Sequence, residues 1–280
     1  MRTFLAAVLA LVSVAGCANA YAEEPATGTA LDYTLPVPTS ACTEATTCSG
    51  IAIRKRAPDR CTFLVVFDGS GVYSTDVGSN VGRMYEEATT IAGRVYIEGV
   101  PGLPFGASAE RVERGRTAIC EHLASRAEPC DIVLLGYSRG AFIANEIAHA
   151  LDAHGCADGS HKGQRIAFLG AFDPVNTQMG SEWEDERTDT EHVWYGDVPS
   201  NVDNVLQVYK DPKDDPRGGI EGLTLTTSLM STGAVASSCN APMTAANHPE
   251  GKDWHHGEVG HGELPRNTMK CALERAGIRL

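Results

Sequence analysis

The 280-residue chain has no cluster of basic residues: 23 Lys and Arg face 36 Asp and Glu, for a formal net charge of −13. Such a surface repels polyanions, so nucleic acid and anionic membrane are excluded as electrostatic partners, and the acidity serves solubility. Neither a Cys-x-x-Cys pair nor a His-x-x-x-His spacing is present, so short-range zinc signatures are missing. No internal repeat occurs, which excludes solenoid and propeller architectures. Past the N-terminus, no apolar run approaches the roughly 20 residues that span a bilayer.

What is present begins with an apolar fraction of 42%, enough for one large domain with a sizeable core. Residues 1–20 read as an export signal: Met1-Arg2, then an uncharged run from Phe4 to Ala15, too short to span a membrane. Two processing sites overlap there. Val14-Ala15-Gly16-Cys17 resembles a bacterial lipobox, which would attach a membrane lipid at Cys17, whereas Ala18-Asn19-Ala20 fits ordinary signal cleavage. A buried core helix is the competing reading. The expected location is outside a bacterial cytoplasm: periplasm, outer membrane as a lipoprotein, or secreted. Nine cysteines stand at 17, 42, 48, 61, 120, 130, 156, 239 and 271, and removal of Cys17 leaves eight, an even number that predicts up to four disulfides.

Residues 21–60, rich in Ala, Thr, Pro and Ser, read as a linker and a segment pinned by Cys42 and Cys48; residues 61–280 read as one domain. Thr62–Phe67 and Asp131–Leu135 are continuous apolar runs, the pattern of strands covered on both faces. Further strands are predicted at Arg94–Ile97, Arg165–Phe172 and Val205–Tyr209. Helices are predicted over 80–92, over 108–124 capped by Ser108 with Val112, Ile119 and Leu123 on one face, over 140–154 and over 267–276. Between Asp211 and the last helix the chain reads as irregular. This alternation predicts an α/β fold, a mostly parallel sheet with helices on both faces.

Gly136-Tyr137-Ser138-Arg139-Gly140 lies between a buried strand and an amphipathic helix. Gly-x-Ser-x-Gly is common by chance, but in this context it is the nucleophile turn of α/β-hydrolases: small residues relieve a sharp turn that presents the Ser above the sheet. The Arg139 N–H, at the start of the helix, is the expected first oxyanion donor. A tight turn with an incidental Ser is the alternative. A Ser hydroxyl needs a base, and the base an orienting carboxylate, in chain order Ser, acid, His. Asp173 ends the next strand, on the same edge of the sheet as Ser138; Asp203 and Asp211 are reserves, and Asp173-Pro174 also fits a plain turn or helix cap. The base falls among His255, His256 and His261, in a Gly-rich stretch that reads as a loop; His192 reads as a surface residue. Those three His with Glu258 could instead ligate zinc, and Asp211, Asp214 and Asp215 could hold calcium or form a solvated loop.

Five ordered landmarks between about residues 61 and 262 carry a further likeness. They are Phe67-Asp68-Gly69-Ser70-Gly71, Ser79-Asn80-Val81, Gly136 to Phe142, Gly170-Ala171-Phe172-Asp173-Pro174-Val175, and His256-Gly257-Glu258-Val259-Gly260. Together they resemble an uncharacterised α/β-hydrolase domain family that includes phospholipase effectors of bacterial type VI secretion. The resemblance implies Ser138 as nucleophile, Asp173 as acid and His256 as base. It also implies that Asp68, Gly69 and Ser70 line the site and that their backbone supplies a second oxyanion donor. This chain departs from the family pattern at Pro174 (usually Thr) and Glu258 (usually Asp), and lacks the effectors' long inserts. The expectation is an exported serine hydrolase of carboxylic esters, lipids among them, that uses no cofactor and no metal. A secreted binding protein on the same fold, and a metal-dependent hydrolase built on the His cluster, are the alternatives.

Overall fold

A computed structural model describes residues 53–56, 60–70, 78–91, 93–99, 107–175, 196–210, 227 and 229–280. All of them fall in the second of the chain's two units, Tyr33–Leu280. Residues Cys17, Cys42, Cys48, His192, Asp211, Asp214 and Asp215 lie outside the described residues.

Six strands form one sheet: β1 (Cys61–Phe67), β2 (Gly93–Ile97), β3 (Cys130–Tyr137), β4 (Ile166–Phe172), β5 (Asn204–Lys210) and β6 (Ser237–Met243). The order is β2-β1-β3-β4-β5-β6 and every pairing is parallel. The helices are α1 (Asn80–Glu87), α2 (Ala107–Ala124), α3 (Arg139–Ala153), α4 (His256–His261) and α5 (Glu263–Arg275). This is the α/β class, a parallel sheet with helices on both faces, that the strand-helix alternation predicts.

Parallel strands covered on both faces bury residues that point either way, which is why Phe63–Phe67 of β1 and Ile132–Leu135 of β3 are unbroken apolar runs. Phe63, Val65, Phe67, Ile132 and Leu134 pack with Val112, Ile119 and Leu123 of α2 and Ala141, Ala144, Ala148 and Leu151 of α3. Leu64, Val66, Val133, Leu135 and Tyr137 point the other way, onto Val81 and Met84 of α1, Val259 of α4 and Met269 of α5. In β4, Ile166 faces the first layer and so do Leu169 and Ala171, an odd spacing that alternation forbids. A register shift resolves it: Ile132 pairs with Ile166 but Val133 with Phe168, so Ala167 is an extra residue.

Several boundaries move. Helix α1 stops at Glu87, where the Ala88 N–H bonds both Met84 O and Tyr85 O, instead of reaching residue 92. Ser108 lies inside α2 and is buried, so it does not cap it. The stretch after Asp211 is not irregular throughout, since it contains β6. The residues 256–261, read as a loop because of their glycines, form helix α4, and α5 starts at Glu263, not near Asn267. Strand β6 is an edge strand, the position in a sheet where a proline such as Pro242 is tolerated.

The disulfide Cys61–Cys130 joins the first residues of β1 and β3, and Cys120–Cys156 ties α2 to the turn after α3; Cys239 and Cys271 are also disulfide-bonded.

Candidate active site

The chain runs from β1 to β2 on one side and returns to β3 on the other, so the sheet reverses direction between β1 and β3. Crevices at the carboxyl ends of strands flanking such a point bind ligands. Phe67 pairs with Gly136, and Tyr137 with Phe172. The residues that follow these strand ends are Asp68, Ser138 and Asp173, and register alone makes Ser138 and Asp173 neighbours.

Ser138 has φ 55° and ψ −124°, a backbone conformation that non-glycine residues rarely adopt and that costs about 1–3 kcal/mol. Its N–H bonds Phe172 O (2.9 Å), and its carbonyl accepts from Ala141 N and Val175 N. Its side chain makes no capping bond to α3, so the hydroxyl is not consumed by the helix it precedes. Both flanking glycines are there for close approach. A Cβ on Gly136 would collide with the Ala141 backbone, and one on Gly140 with the Phe67 carbonyl. Arg139, buried, opens α3, where first-turn N–H groups have no partner within the helix.

Asp173 is fully buried, with φ 37°. Its Oδ1 accepts from Thr227 Oγ1 (2.7 Å) and from Lys210 N (3.2 Å), while its Oδ2 lies 2.6 Å from His256 Nδ1. The imidazole of His256 also stacks on Tyr137, with centroids 5.0 Å apart and planes at 24°, and the Tyr137 hydroxyl donates to His256 O. Thus Asp173 and His256 are bonded to each other beside Tyr137, the residue before Ser138.

The other two histidines stand at the two ends of α4. His255 is the residue before α4, where Glu258 Oε2 accepts from its N–H (2.9 Å), and His261 lies edge-on to Tyr137. Burial pushes the Glu258 carboxyl up, but the His255 N–H and the Lys252 ammonium (3.0 Å) outweigh it and hold it below the ordinary value. At the far end of α4, Asn80 Nδ2 donates to Val259 O and Gly262 O, both at 2.9 Å. The helix that presents His256 is therefore fastened at both ends by side chains. Asp203 is far from this group. It precedes β5 at the opposite edge of the sheet, paired with Arg54 and Arg165, so it is no reserve for the acid.

The turn after β1 abuts Ser138: a Cβ on Gly69 would sit 3.1 Å from Ser138 Cβ. The Gly69 N–H, however, donates to Asp68 Oδ1 (2.9 Å). Two N–H groups of this turn are thus engaged, that of Gly69 by Asp68 and that of Asp68 by Ile97 O (3.0 Å). Asp68 itself is buried and accepts at Oδ2 from Ser79 Oγ (2.5 Å) and Tyr96 Oη (2.9 Å). Ser79, Asn80 and Tyr137 stand in the sequence landmarks, but without roles. Thr227 leaves no sequence signal at all.

Burial raises the Asp68 carboxyl from 3.8 to about 6, against the three hydrogen bonds that favour the anion. A folded-state value above the unfolded one means the folded chain binds this proton more tightly between those two pH values. Stability is therefore lost as pH rises through that window, by up to about 3 kcal/mol. Asp68→Asn, neutral throughout, is expected to gain on the wild type between about pH 4 and pH 7 in urea unfolding. A stability difference that stays constant across that range would contradict this.

No protein-family model matches this sequence, and no curated protein does. Among solved structures, the chain is similar to a cell surface hydrolase of Lactobacillus plantarum WCFS1 at 12% identity, over 80% of this chain and 94% of that one, with a TM-score of 0.46. It is similar to the RedJ thioesterase of the prodiginine pathway of Streptomyces coelicolor at 16% identity, over 80% and 94%, with a TM-score of 0.41. A third is the Tle1 effector bound to the VgrG spike of the type VI secretion system, at 15% identity over 64% and 51%, with a TM-score of 0.32.

Proposed function

We propose that this chain is a serine hydrolase that cleaves carboxylic esters through an acyl-enzyme. The observation that carries the reading is the 2.6 Å bond between His256 Nδ1 and the buried Asp173, beside a serine held in a strained strand-to-helix turn. Asp173 holds the imidazole with its proton on Nδ1, leaving the Nε2 lone pair to take the Ser138 proton as Oγ attacks the carbonyl carbon. The developing oxyanion is received by the Arg139 N–H, where the α3 dipole also favours negative charge, and by the Ser70 N–H. His256 then returns its proton to the leaving alcohol and activates the water that frees the acid. None of these steps requires a cofactor.

The finer reading is an enzyme exported by the signal at residues 1–20 and acting on lipid or phospholipid esters, the substrates that the sequence resemblance implies. Disulfides in β1, β3, α2 and the turn after α3 support an oxidising compartment. Attachment to a membrane by a lipid on Cys17 belongs to the same reading. A fluorophosphonate probe tests the mechanism: the expected result is one adduct per chain, on Ser138, that blocks hydrolysis of short and long acyl esters alike. An unlabelled but folded chain would point to a binding protein on this fold, and hydrolysis that persists in labelled chain would overturn the assignment.

A further inference from the structure

At the edge of the sheet opposite Ser138, Cys61 and Cys130 are in-register partners at the starts of β1 and β3, with Cα atoms 4.5 Å apart. His122, in the last turn of α2, reaches the same spot, and its Nε2 lies 3.7 Å from Cys130 Sγ. The two sulfurs and the ring nitrogen all lie within 4.8 Å of one another, the one such group among the described residues. Cys61 and His122 are half-buried and Cys130 is buried, so the cluster is sheltered yet reachable from solvent.

The imidazole is packed onto the sheet. One face stacks on Phe63, with centroids 4.0 Å apart and planes at 13°. Gly93 of β2, the in-register neighbour of Phe63, lies against the edges of both rings, where any Cβ would run into His122 and Phe63.

We propose that, once the Cys61–Cys130 bond is reduced, Cys61, Cys130 and His122 bind one thiophilic divalent cation such as Zn²⁺. Ordinary zinc bond lengths at a tetrahedral angle place S and N ligands about 3.6 Å apart and two S ligands about 3.8 Å apart. The first spacing is already present, and the second needs only rotation of the two cysteine side chains once the bond opens. A dithiol reductant supplies two electrons and two protons to the disulfide and leaves as its own disulfide. The ion then displaces both thiol protons to solvent, so a divalent cation with two thiolates and a neutral His makes a site of zero net charge. Three protein ligands leave the fourth position to water. The ion clips β1 to β3 across the same 69-residue separation as the disulfide, so the two links are alternatives set by redox conditions. The inference does not depend on the hydrolase reading, because the cluster and Ser138 stand at opposite ends of the strands.

The test uses the full chain, reduced with a phosphine without oxygen and titrated with Co²⁺, whose thiolate complexes absorb in the near ultraviolet and visible. One equivalent should bind with tetrahedral bands that Zn²⁺ abolishes, and the oxidised chain should show none. Cys61→Ser and Cys130→Ser should lose the bands. His122→Phe, which keeps the ring stack on Phe63, should bind about tenfold more weakly or worse, since even outer-shell partners of a ligand are worth that much. If His122→Phe does not fold, His122→Gln replaces it. The double variant Cys120→Ser, Cys156→Ser should keep the bands. Unchanged binding in the folded His122 variant, loss of the bands in the Cys120, Cys156 double variant, or absence of any bands in reduced wild type would each overturn the proposal.

Discussion

Replacing Ser138 by Ala is expected to lower kcat on a carboxylic ester by about 10⁴-fold or more, and His256→Ala by a similar factor, because triad members act as a unit. The double variant should therefore be hardly worse than either single one. Asp173→Asn is expected to cost about 10³–10⁴-fold, for a reason visible in its surroundings. Lys210 N and Thr227 Oγ1 both donate to Oδ1, so an amide at this position turns its oxygen toward them and its NH₂ toward His256. The imidazole must then carry its proton on Nε2, which faces Ser138 in the wrong tautomer. Steady-state kinetics on purified, correctly folded variants decides the matter. Full activity in His256→Ala, with loss in His255→Ala or His261→Ala, would move the base; activity in Ser138→Ala would end the serine mechanism.

The second large effect concerns stability and site geometry together. Trp254 is completely buried two residues before His256, and its Nε1 donates to Thr244 O (3.1 Å) and Asn247 Oδ1 (2.9 Å). Its indole packs edge-on to His248, 4.6 Å between centroids. Truncation to Ala removes that volume and takes one of two donors from each acceptor, since Thr244 O keeps Asn247 N and Asn247 Oδ1 keeps Thr244 N, for an expected loss of about 3–5 kcal/mol. Trp254→Phe, which keeps a ring and loses only the N–H, should cost about 1–2 kcal/mol. Urea unfolding reads the stability. Fluorophosphonate labelling of Ser138 under folding conditions reads the geometry, and should slow in Trp254→Ala because the α4 loop loses its anchor. Labelling at the wild-type rate would show that His256 is positioned without Trp254.

The turn that carries Ser138 and the strand end that carries Asp173 were legible because each is marked by its neighbours in sequence. The run Asp131–Leu135 leads straight into Gly136, and Asp173 closes the next apolar strand. The helix around His256 was not legible. Two glycines in Trp254–His261 look like a flexible loop, since glycine disfavours an isolated helix. Gly260 is there instead for contact: a Cβ would strike the Tyr137 ring. The helix is stabilised by Glu258 at its start and Asn80 at its end, residues 178 positions apart in sequence. Strand β6 was missed for a related reason. As an edge strand with alternate residues turned outward, Ser237–Met243 carries Ser, Asn and Pro and never forms an apolar run.

By itself, the sequence determined the layered α/β order, the continuous strands at the centre of the sheet and the turn that carries Ser138. All of these rest on local patterns: runs that must be buried on both faces, helical spacing, and small residues where the backbone is crowded. Only the tertiary structure decided which His meets Asp173, that the Gly69 N–H is taken up by Asp68, and that Asp203 stands at the wrong edge. These depend on strand order, register and a buried tryptophan, which bring together side chains that no local rule connects.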